Sequence, residues 1–290
     1  MSYQLLRRCF FIIAMALMVQ GCVGLALQTT PSLIPNLSQA VFEECDMELA
    51  RASMPADLKL MEGLLKSAPQ NTQLLTALSM GFTGYGLLFL EDVDPERASK
   101  LYLRAKAYAM EALGDAGKRL QEATLNLEQA RIILQNVGRD AVEPLFWATL
   151  AWNGWVNLNL DNPSALAQMG VAQACIERLL EIEPSYLYGT AHVLMGTILA
   201  AKPTILGGDA AAAKAHFDKA MEISKGTFLL TPYYYARYYA VKAQDKKLFS
   251  RLLDEAVAQP AEELRDVCLL NTIMKEKAGA LLGRMDEFFY

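Results

Sequence analysis

Histidine is close to absent from this chain, which holds only His192 and His216 among 290 residues. They fall on different expected helices, and neither has a second metal ligand at a fixed offset. With H-E-x-x-H and H-x-x-E-H both missing, a zinc protease is excluded. An excess of positive charge is missing too. The formal net charge is −5, and loss of Arg7 and Arg8 with a cleaved leader makes it more negative still. Nucleic acid is therefore not an expected partner. Nor is there a long hydrophobic run at the N-terminus: Phe10 to Val19 is about half of the ~20 apolar residues that a membrane-spanning helix needs.

That short run belongs to a different device. "RRCFFIIAMALMVQGCVG" places two arginines, an apolar core and a small residue before a cysteine, the layout of a secretory signal peptide. Val19-Gln20-Gly21-Cys22 resembles the bacterial lipoprotein box, with cleavage before Cys22 and lipid attached to it. The plainer alternative is cleavage elsewhere with Cys22 incidental. The reading taken is a signal peptide over 1–21, a lipidated tether over 22–37 carrying Pro31 and Pro35, and one helical domain over 38–290. Val23 is not the aspartate that retains enterobacterial lipoproteins at the inner membrane, which tilts the expectation towards the outer one. Of the five cysteines, Cys45, Cys175 and Cys268 then remain in the mature chain. Three isolated thiols are no disulfide framework, although an exported protein could form one. They are read as small buried apolar residues.

From Ser38 onward the punctuation is helical. "LLKSAPQN" stops a helix at Pro69, "LEIEPSY" at Pro184 and "VAQPAEE" at Pro260. "EDVDPER" and "LDNPSAL" place Asp94 and Asn162 as N-caps, with Pro95 and Pro163 at the first helical position. Connections of two to six residues between helices of ~14–20 residues imply antiparallel neighbours. The fold class expected is all-α. Small and bulky residues also recur at the spacing of tetratricopeptide helix pairs. Ala213, Phe217 and Ala220 face Gly196, about five residues early for the standard unit. Ala172, Ile176, Leu179 and Pro184 give a second copy, and Ala105, Ala109 and Ala112 a weaker third. Ala236 and Tyr239, followed by Leu248, Leu252 and Pro260, give a fourth. Degenerate tetratricopeptide-like repeats in an irregular, globular superhelix are expected.

Motifs for catalysis fail on context. "ALSMG" imitates a nucleophile elbow, but Ser79 lies inside a helical run where an elbow requires a strand. "LGGDAAAAK" lacks the G-K-[ST] ending of a phosphate loop and reads as an ordinary helix start at Asp209. "FEECDME" reads as a solvated acidic helix face. No catalytic residue, metal or cofactor is expected, and the chain is read as a non-enzyme.

Two aromatic segments invite a functional reading. "PLFWATLAWNGWVNLNLD" holds Trp147, Trp152 and Trp155 together with Asn153, Asn157 and Asn159. "TPYYYARYYA" packs Tyr233, Tyr234, Tyr235, Tyr238 and Tyr239 around Arg237. Apolar walls with a few placed polar groups line small-molecule pockets, whereas core packing explains the same residues without one. Both readings stay open. The cavity candidates are Trp147, Trp152, Asn153, Trp155, Asn157, Tyr234, Arg237 and Tyr238. An apolar or organic-acid ligand would use the rings for contact, with Asn153, Asn157 or Arg237 for its polar end.

These same segments, with "YLYGTAHVLMGTILAAKPTILGGDAAAAKAHFDKAMEIS" and "LLNTIMKEKAGALLGRMDEFF", resemble the TatT family. These are tetratricopeptide-repeat lipoproteins associated with TRAP transporters. The likeness runs from about Leu74 to the C-terminus and includes the lipobox. It implies an all-α periplasmic lipoprotein that binds the transporter's solute-binding protein, assembles as a trimer and carries a channel or cavity in each protomer. Two other classes compete: a tetratricopeptide scaffold for envelope assembly that binds protein partners only, and a hydrolase of envelope polymers, for which no acid–base pair stands out.

Overall fold

The computed structural model describes residues 32–289. The leader, the lipidation site Cys22 and most of the tether lie outside the described residues. Every regular element described is helical, with no strand among them. Thirteen α-helices follow one another: α1 (Leu33–Phe42), α2 (Met47–Ser67), α3 (Thr72–Tyr85), α4 (Pro95–Ala112), α5 (Asp115–Glu122), α6 (Leu127–Gln135), α7 (Val142–Leu158), α8 (Pro163–Ile182), α9 (Tyr186–Ala201), α10 (Ala210–Ser224), α11 (Leu230–Tyr234), α12 (Lys246–Ala258) and α13 (Cys268–Gly283). Two of them run on as π-helical turns, α3 into Gly86–Leu90 and α11 into Tyr235–Ala240. The all-α expectation holds.

The stops and caps fall where the side chains direct. Asp94 and Asn162 accept hydrogen bonds from the backbone N–H groups of Arg97 and Ser164, and Pro95 and Pro163 open α4 and α8. These satisfy donors that a helix N-terminus leaves unpaired. The first helix begins earlier than Ser38. It starts at Leu33 and takes Pro35 into its first turn, where proline's missing N–H removes no intrahelical bond. "FEECDME" is not a helix face but the junction of α1 and α2. There Asp46 caps α2 by accepting from the N–H groups of Glu48 and Leu49, and Glu44 accepts from the N–H of Asp46.

The cysteines require a correction. Cys45, in that junction, is bonded to Cys268 at the first position of α13, across 223 residues of sequence. Only Cys175 is a free buried thiol among the described cysteines, its pKa pushed up to about 12 by burial. Isolated positions gave no pattern to read, because the bridge is made by the return of the chain's end to its beginning.

Packing is layered by helix pairs. α3 lies against α4, α4 against α7, α7 against α8, and α9 against α10. Tyr102 of α4 is the pin of the central layer. A Cβ on Gly154 of α7 would stand 2.9 Å from its ring, and one on Gly86 at the end of α3 would stand 3.1 Å away. Glycine at both positions lets two helices close on one tyrosine. The crossing of α9 and α10 is built in the same way, with Gly196 facing the Phe217 ring at 2.9 Å and the Ala213 carbonyl at 3.2 Å. α3 with its π-turn is long and apolar enough by composition to cross a membrane, but most of it is buried in this core.

Candidate functional site

Along α3, α7 and α9, residues of the first turns meet in one concavity and residues of the last turns in another. The three helices therefore run in the same direction, with their C-terminal ends gathered around one space. At that end lies a cavity of ≈ 310 Å³, a volume suited to a small ligand. Its apolar wall includes Leu87, Leu150, Val156, Met169, Leu194 and Ile198. Its polar groups are Glu91, at the end of the π-turn of α3, with Tyr102, Asn153, Asn157, Thr197, Lys202, Tyr234 and Tyr238.

Glu91 dominates the electrostatics. Desolvation raises the pKa of its carboxyl from 4.5 to about 7, against the pull of Lys277 and Arg237 and with the help of Asp92. The hydroxyls of Tyr234 and Tyr238 are held in their neutral form, first by burial and then in part by Glu91. The rings of Tyr234 and Tyr238 lie 5.3 Å apart between centroids. Lys202, where α9 ends, donates to Gln173 Oε1 at 2.5 Å. The "LGGD" segment fixes this edge. Gly207 takes a left-handed turn at φ +87°, a Cβ on Gly208 would collide with the Lys202 carbonyl at 1.9 Å, and Asp209 caps α10. Ile205 and Leu206, just beyond Pro203 in the cavity wall, are 92% and 67% exposed, and Leu160 and Leu166 of the wall are exposed as well.

The aromatic candidates divide. Asn153, Asn157, Tyr234 and Tyr238 line the cavity. Trp147 lines instead the second concavity, of ≈ 400 Å³, at the N-terminal ends of the same helices. Its indole N–H is buried without a partner. Trp152 is wholly buried, donating its Nε1–H to Gln168 of α8 at 3.1 Å, with the Lys106 ammonium 4.3 Å from its ring. Trp155, also buried, shares that lysine at 5.6 Å. Desolvation lowers the Lys106 pKa to about 8. Neither Trp152 nor Trp155 reaches the cavity wall. Arg237 is outside the wall too; its guanidinium donates to the Tyr233 hydroxyl at 2.6 Å and pairs with Asp92 at 3.8 Å. Glu91, Tyr102, Thr197 and Lys202 are polar groups of the wall that sequence reasoning missed. For Glu91 the only signal was an acidic pair ending an apolar run, in "GLLFLED".

What the fold and site define is a helical protein with a cavity of ≈ 310 Å³ among its helices. Among the described residues no group of three or more metal-ligating side chains occurs. Comparison with known proteins gives the family. The model for "TRAP transporter T-component" (TAtT) matches residues 43–289, and the chain belongs to that family. It is thus associated with a TRAP transporter, in a family of transporter components rather than an enzyme class. A protein of Treponema pallidum (strain Nichols), described as uncharacterized, is 24% identical over an alignment spanning 100% of this chain and 99% of its own length.

Proposed function

We propose that this protein is a lipid-anchored periplasmic component that docks the solute-binding protein of its transporter and accepts or relays an apolar-bodied ligand through the α3–α7–α9 cavity. The observation that carries this is the cavity itself, whose wall meets solvent at exposed Leu160 and Leu166, with exposed Ile205 and Leu206 following Pro203 in the chain. Large apolar side chains in contact with water at a pocket mouth are the usual mark of an interaction surface. In this reading the helix pairs are degenerate tetratricopeptide-like repeats, Cys22 carries the lipid, and the protein assembles as a trimer. Sedimentation of the chain lacking residues 1–22 at micromolar concentration checks the assembly, a clean monomer counting against it. The scaffold alternative, binding protein partners only, predicts that the cavity is dispensable.

The experiment is co-purification from membranes after mild cross-linking. The solute-binding protein encoded for the same transporter is expected with the native chain, and its yield should fall about tenfold or more when Ile205→Asp and Leu206→Asp are combined. Failure to recover it with the native chain would overturn the docking proposal.

A further inference from the structure

The cavity's electrostatics point to the head group of its ligand. Three helical segments end around it, the π-turn of α3 at Leu90, α7 at Leu158 and α9 at Ala201, and the α11 segment lines it through Tyr234 and Tyr238. Helix C-termini carry partial negative charge, and several gathered at one desolvated pocket favour a cation there. To this field the wall adds one carboxyl group, Glu91, ionised above about pH 7, and the rings of Tyr234 and Tyr238. A carboxylate next to aromatic faces suits an ammonium group, by charge pairing and by cation–π attraction. The one cationic residue of the wall, Lys202, already donates to Gln173. Arg237, the residue an organic acid would need, is engaged by Tyr233 and Asp92 and lies outside the wall.

We infer that the cavity takes an amphiphile with a positively charged ammonium head, held by Glu91 beside the rings of Tyr234 and Tyr238, with its alkyl body along Leu150, Met169, Leu194 and Ile198. The inference rests on the cavity reading above and names the class of ligand for it. Such a head on an alkyl chain places charge against Glu91 and carbon against the apolar wall, which meets solvent at Leu160 and Leu166.

Three probes with the same chain test this: dodecyltrimethylammonium, dodecanol and dodecanoate, titrated below their micellar concentrations into the protein lacking residues 1–22 and followed calorimetrically. The expected order is ammonium over alcohol by about tenfold, with dodecanoate weakest. In Glu91→Gln, which keeps the shape and the hydrogen bonding, the ammonium advantage should vanish while dodecanol binds as before. Circular dichroism on the variant checks that it is folded. Dodecanoate binding as tightly as the ammonium, or an ammonium preference surviving in Glu91→Gln, overturns the head-group assignment and leaves the cavity reading standing. No binding by any of the three probes overturns both.

Discussion

Glu91 is where one side chain connects stability with function. Its folded pKa of about 7 lies above its value of 4.5 in a solvated chain, chiefly through desolvation. Between those values the folded protein binds a proton that the unfolded chain has released, so stability falls as pH rises from 4.5 to 7. The charged and titratable groups around it, Asp92, Lys277, Arg237, Tyr102, Tyr234 and Tyr238, are retained in the test variant. Glu91→Gln should accordingly be more stable than the native chain at pH 8, by on the order of 2 kcal/mol, and nearly equal to it at pH 4. Denaturant unfolding at the two pH values measures this, and an equal difference at both would contradict it. Trp152 behaves oppositely. Fully buried and hydrogen-bonded to Gln168, it should cost about 3–5 kcal/mol of stability as Trp152→Ala. Affinity for dodecanol should be unchanged in the protein that remains folded. A binding defect without loss of stability would return Trp152 to the cavity wall.

At the scale of elements, the caps and stops were legible because they are local: Asp94-Pro95, Asn162-Pro163 and the prolines after α2, α8 and α12 act within one turn. The close approach of Gly196 to Phe217 was partly legible, as a small residue and a large one on successive helices, although Gly196 lies about five residues early for a standard repeat unit. What stayed hidden depended on distant parts of the chain. The tryptophans of α7 read as one aromatic surface, yet successive turns point them to different neighbours, Trp147 to the second concavity and Trp152 to α8. Cys45 and Cys268 met only once α13 had returned beside the α1–α2 junction. That bridge ties both ends of the folded chain together, and by closing so long a loop it restricts the unfolded state. Combined Cys45→Ala and Cys268→Ala should lower stability by about 2–5 kcal/mol while leaving cavity affinity unchanged, because neither cysteine lines it. Thermal unfolding with and without reductant checks the same point, an unchanged midpoint being the contrary result.

For the whole molecule, the account joins an anchor, a family and a cavity. The family match over residues 43–289 sets the protein beside a TRAP transporter. The proposed anchor at Cys22 predicts that Cys22→Ser shifts the protein from the membrane fraction to the soluble one with its fold intact, since acyl chains contribute ~0.8 kcal/mol per buried CH2. A variant still bound to membranes after a high-salt wash would oppose the lipid anchor. The central claim is that the space between α3, α7 and α9 holds a ligand, and one titration addresses it. Leu194→Trp puts a large ring into that space from the apolar wall on α9. Dodecanol should bind the native protein once per chain and fail to bind the folded Leu194→Trp variant. Equal binding by the two proteins would contradict the claim.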